Sequence, residues 1–115
     1  MLWAVPSVID DPCISLTGWT IVETDRGEYH LVGDNVATGL GRVSSALERY
    51  DPVLTQFVTS SGRVYRVANR GLVTSDAWYA WAAWASFNGV RSWREVTDHY
   101  EAVVQALAAD KPSIH

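Results

Sequence analysis

The sequence predicts an α+β fold: an antiparallel sheet of about four strands, built from two hairpins, followed by two packed C-terminal helices. Three observations carry that expectation. Between Thr17 and about Arg70, β-branched and aromatic residues come in short runs separated by glycine-containing turns. From Ser75 onward the apolar residues recur at helical spacing. The 115 residues contain no repeat, linker or low-complexity tract, the pattern of a single domain spanning 1–115. Only 109–115, with Pro112 and no apolar period, is expected to fray.

The first hairpin joins Trp19–Glu23 to Glu28–Val32 through Thr24-Asp25-Arg26-Gly27, a turn with glycine where a positive φ is needed. The second joins Val53–Thr59 to Arg63–Val67 through Ser60-Ser61-Gly62, a short loop of the kind that selects glycine for the left-handed region. Between them, Gly33–Arg42 reads as a glycine-rich inter-strand loop. A short strand at Gly41–Ser44 and then a turn of helix are expected, capped by Ser44 or Ser45 and stopped by Pro52.

Ser75 is expected to cap a helix running to about Asn88, with Asp76 in its first turn and Gly89 as its stop. Ser92-Trp93-Arg94-Glu95 then matches a capping box. Trp93, Val96, Tyr100, Val103, Val104 and Leu107 follow at helical spacing, with Arg94, Asp98, Glu101 and Gln105 opposite. In the first of these helices Trp78, Trp81 and Trp84 fall on one broad face. An indole contributes roughly 150–250 Å² of burial at about 25 cal/mol per Å², so leaving one exposed forfeits several kcal/mol. Core filling is the expected use. Tyr79, Ala82, Ala83 and Ser86 leave the far side scarcely polar, which keeps a dimer or partner contact there open.

Hydrophobic residues make up 48% of the chain and charged residues 19%, a composition that supports a core and excludes a solvated tail. A single cysteine, Cys13, excludes an internal disulfide and a cysteine-based zinc site within one chain. Its neighbours offer no basic group to activate the thiol. The N-terminal MLWAVPSVIDDP has no basic region and only a short apolar run, so neither a signal peptide nor a membrane span is expected and the location is expected to be cytoplasmic.

Net charge is −4, unevenly spread. Residues 1–34 carry Asp10, Asp11, Glu23, Asp25, Glu28 and Asp34 against Arg26, a net −5; residues 35–70 carry Arg42, Arg49, Arg63, Arg66 and Arg70 against Glu48 and Asp51, a net +3. The acidic total disfavours generic duplex binding. Eight of the nine basic residues are arginine, the residue that pairs bidentately with carboxylates and phosphates.

No motif in the chain carries a chemistry. His30, His99 and His115 have no metal-site spacing and are expected to be exposed or half-buried. Ser60 or Ser61 with His30 and an acid would make a triad only on paper, without a nucleophile elbow. The glycines of 33–42 lack the lysine and hydroxyl of a phosphate loop. No catalytic residue, metal or cofactor is expected.

The segments GRVSSALERYD, TSSGRVYRVANRG and DAWYAWAAW together resemble a set of short proteins carried by phages, prophages and plasmids of proteobacteria. The resemblance covers about Gly41 to Trp84, with Val67 in place of a leucine and Asn69-Arg70-Gly71 in place of a proline turn. It transfers no site residues; it implies a mobile-element setting, in which small acidic proteins often antagonise host defence, anti-CRISPR proteins among them. The expectation is a non-enzymatic inhibitor that binds a protein partner such as a CRISPR effector subunit. Asp10, Asp11, Asp25, Glu28 and Asp34 would stand in for phosphates against a basic surface. The alternative is a small nucleic-acid regulator working through Arg63, Arg66 and Arg70, and an enzyme of unknown type stands third.

Overall fold

A computed structural model describes residues 12–68 and 71–109. In chain order the elements are β1 (Cys13–Thr24), β2 (Tyr29–Asn35), β3 (Gly41–Val43), β4 (Leu47–Asp51), β5 (Gln56–Thr59), β6 (Val64–Val67), α1 (Ser75–Phe87), β7 (Trp93–Glu95), a 3₁₀ turn (Thr97–His99) and α2 (Tyr100–Ala109). Among the described residues the fold is a mixed sheet of seven strands with two helices, which corrects the expected four-stranded antiparallel sheet.

Both expected hairpins form, although the second begins at Gln56 because Val53–Thr55 is turn. β1 and β2 pair antiparallel with Glu23 opposite Tyr29, and β5 and β6 pair with Val58 opposite Val64. At the second turn Gly62 sits at φ 89, the conformation that a side chain would oppose. The short strand expected at Gly41–Ser44 also forms, as β3, and three segments take the sheet beyond the two hairpins. β2 runs on to Asn35, whose side-chain oxygen accepts from the Ala37 amide, and turns into β3, so the glycine-rich stretch is a third hairpin and not a free loop. Leu47–Asp51 is a strand against β5 where a turn of helix was expected. Trp93–Glu95 is a strand against β1 where a capping box was expected.

β1 organises the sheet. It is flanked by β2 on one edge, while on its other edge Cys13–Leu16 takes β6 in parallel and Val22–Thr24 takes β7 antiparallel. Those two partners occupy successive stretches of one edge because β6 ends opposite Leu16, leaving the later amides and carbonyls of β1 in need of bonds. Between the stretches the register with β2 shifts at Thr17–Thr20, a bulge in which Gly18 takes φ 55.

The strand order β3-β2-β1-β6-β5-β4 forces the sheet to curl. Laid flat, six strands at about 4.8 Å spacing would hold β3 and β4 roughly 24 Å apart. Four Cα steps lead from Val43 to Leu47, a reach of at most about 15 Å. The sheet edges are drawn together, and the Ser44 amide donates to the Leu31 carbonyl while the Ser60 amide donates to that of Ala46.

Curling separates two cores. The inner one gathers Ile14, Leu16, Trp19, Ile21, Leu31, Leu47, Phe57 and Tyr65, and Val96, Val103 and Leu107 bring the C-terminal segment and α2 onto it. The outer one holds Val22, Val32, Ala77, Trp81 and Ala85, where α1 covers β2 and β3. Successive residues divide between them, Ile21 and Leu31 inward, Val22 and Val32 outward, as strand alternation requires. The two helices therefore serve opposite faces of the sheet and do not pack as a pair.

α1 matches its expected span to within a residue, but its cap is Thr74, not Ser75: the Thr74 hydroxyl oxygen accepts from the Ala77 amide at 3.1 Å. Trp81 is buried, and Trp78 and Trp84 are half-buried. The tail from Asp110 onward lies outside the described residues.

Candidate functional site

The acidic residues read from the sequence are placed at two ends of β2. Asp25 and Glu28 share the β1–β2 turn, which is held by the Thr24 amide donating to the Glu28 carbonyl. Asp25 is exposed, and its carboxylate accepts from the Arg91 amide at 3.2 Å. Glu28 is half-buried, with its carboxylate 3.3 Å from His30 Nε2 and 4.0 Å from the Arg26 guanidinium. Asp34 stands at the far end, where its carboxylate accepts from the Thr74 hydroxyl that also caps α1. Asp10 and Asp11 lie outside the described residues.

The basic residues read from the sequence are turned to internal use. Arg63 is 6% exposed. Arg66 is exposed but its Nε donates to Gln56 at 3.1 Å across the β5–β6 pair. Arg42 donates to the Tyr65 hydroxyl, and Arg94 forms a 2.8 Å ion pair with Glu23. Arg70 lies outside the described residues.

The sequence reading did not single out the surface beside the acidic turn. β7 adds Trp93 and Glu95 there, with Trp93 opposite Thr24 and Glu95 opposite Val22. Trp93 is 43% exposed. Its ring stacks on Trp78 with centroids 5.4 Å apart and meets the edge of Trp81 at 5.6 Å, and Trp81 in turn stacks on Trp84. His30 closes the row, 4.5 Å from Trp84. Four of the six tryptophans are thus one aromatic cluster along the outer face.

His30 itself is buried, correcting the expectation of an exposed or half-buried ring. Nδ1 lies 2.9 Å from the Ser44 carbonyl, which ties β2 across the sheet closure. His99 ends the 3₁₀ turn, and His115 lies outside the described residues.

Below Trp78 the outer face opens into a cavity of about 280 Å³, lined by Trp19, Thr20, Gly71, Leu72, Val73, Trp78, Glu95, Thr97 and Asp98. Its polar wall is ordered by a chain of bonds. The Ile21 amide donates to the Thr97 hydroxyl at 2.9 Å, Thr97 and Thr20 share a hydroxyl contact, and Thr20 donates to Glu95 Oε2 at 2.9 Å. The threonines are 7% and 2% exposed, so a carboxylate at the surface is held by hydroxyls inside the fold. The signal available for this site was the alternation Trp93-Arg94-Glu95-Val96, which the capping-box pattern outweighed.

Among the described residues no group of three His, Cys, Asp or Glu side chains could hold a metal ion. No described helix is long and apolar enough to cross a membrane. No family model matches the chain, and neither the curated proteins nor the solved structures give a match.

Proposed function

We propose that this protein is a non-enzymatic binding protein that inhibits a larger complex by docking acidic side chains on a basic, nucleic-acid-binding surface of it. The observation that carries the reading is the grouping of exposed carboxylates beside an exposed indole. Asp25 and Glu95 stand exposed near Trp93, whereas Arg63 is buried and Arg66 bonds to Gln56. A partly exposed indole is the kind of anchor on which protein interfaces are built. The acidic total adds long-range attraction to a basic partner.

The mobile-element setting implied by the resemblance makes a CRISPR effector subunit the partner class of choice. The alternative through Arg63, Arg66 and Arg70 draws less support, because Arg63 is inside the fold and Arg66 is already bonded to Gln56. The test is capture of partners from a host lysate on the immobilised protein. Nuclease-resistant recovery of a nucleic-acid-binding subunit, lost on Asp25→Lys with Glu28→Lys, is the expected result. Recovery that disappears on nuclease treatment sinks the reading.

A further inference from the structure

The cavity under Trp78 has a composition that selects its occupant. Its walls are the apolar groups of Trp19, Leu72, Val73 and Trp78, and among the described residues its charged lining is Glu95 and Asp98, with no basic residue. Among the described residues Glu95 is anchored through its Oε2, by Thr20. The hydroxyls behind it are fixed in turn by the Ile21 amide, so the carboxylate is positioned before any ligand arrives. At about 280 Å³ the space lies at the lower limit of small-molecule sites and suits one long side chain better than a drug-sized ligand.

We infer that this cavity receives an arginine side chain from the partner protein. A guanidinium is planar and weakly hydrated, which suits it both to an indole wall and to a carboxylate. Its aliphatic stem would lie along Leu72, which is 94% exposed and otherwise an unexplained apolar surface. The inference rests on the proposed reading of the protein as a binder of a basic surface, and it adds the recognition element of that surface.

The probe is N-acetyl-arginine-methylamide, titrated into the full-length protein while the indole N–H resonances of Trp19 and Trp78 are followed by NMR. N-acetyl-citrulline-methylamide, of like shape without the charge, is the control. Saturable shifts with the arginine probe, absent with citrulline, are expected. Glu95→Gln, which keeps an acceptor for Thr20, should weaken binding about tenfold. Equal binding of both probes, no saturable shift with either, or an unchanged affinity in Glu95→Gln overturns the inference. If that variant does not fold, as judged by circular dichroism, the comparison of the two probes on the unaltered protein decides. A lysate partner captured equally by the unaltered protein and by Glu95→Gln would overturn the pocket and leave the binding reading standing. Probe binding with no partner captured would do the reverse.

Discussion

Gly41 on β3 lies directly against Ala77 of α1: a Cβ placed on Gly41 would come within 2.8 Å of the Ala77 Cα and 2.6 Å of the Asp76 carbonyl oxygen. Both obstacles are backbone, so neither can rotate away. Gly41→Ala should push α1 off the sheet at a cost of about 1–3 kcal/mol. Chemical denaturation would register this as a lower midpoint with an unchanged slope. A variant as stable as the parent would mean that α1 does not sit this close.

Thr74 connects two elements through one hydroxyl, accepting from Ala77 and donating to Asp34. Thr74→Ala should cost about 1 kcal/mol, the usual loss for an N-cap. Ser75→Ala should be close to neutral, since capping belongs to its neighbour. A larger loss in Ser75→Ala than in Thr74→Ala would return the cap to the position that the sequence suggests.

Trp81 is 1% exposed and its indole nitrogen has no hydrogen-bond partner among the described residues. Its contribution is therefore apolar. Trp81→Ala should cost about 3–5 kcal/mol, enough to threaten the fold. Trp81→Phe should retain much of that by filling more of the space. Thermal melts of the two variants should rank in that order, and similar melts would show that the residue is not packed as described.

Ser92→Ala separates two local structures for one segment. A capping box at Ser92 would make the substitution cost about 1 kcal/mol. As part of the strand connection, Ser92 contributes its backbone carbonyl, which accepts from the Asp25 amide, and this survives the change. The expected effect on the unfolding midpoint is within about 0.5 kcal/mol.

The elements that were legible from sequence are those whose instructions lie within a few residues. The β1–β2 and β5–β6 turns carry their glycines between β-rich runs, and α1 has a hydroxyl residue at its start and Asn88-Gly89 at its end. The elements that were missed depend on distant partners. Leu47–Asp51 hides its strand period because a register shift between Leu47 and Arg49 breaks the alternation. Ser92–Glu95 satisfies a helix-start pattern, yet the open edge of β1 at Val22–Thr24 supplies backbone bonds that a single capping box cannot outweigh. The candidate site followed the same division. Asp25 and Glu28 are candidates by their charge alone, whereas Glu95 and Trp93 became neighbours of that turn only through pairing across about seventy residues of chain.

By itself the sequence determined the local grammar of this protein: a β-rich first part with two tight turns, a tryptophan-bearing helix, an acidic balance and a core large enough to need no disulfide. Tertiary structure alone decided that three residues between β3 and β4 would curl the sheet, that the helices would take opposite faces, and that Trp19, Trp78 and Glu95 would meet at one cavity. The physical reason is that turns and caps are satisfied by adjacent backbone groups, while a strand edge accepts whichever segment the closed sheet brings to it.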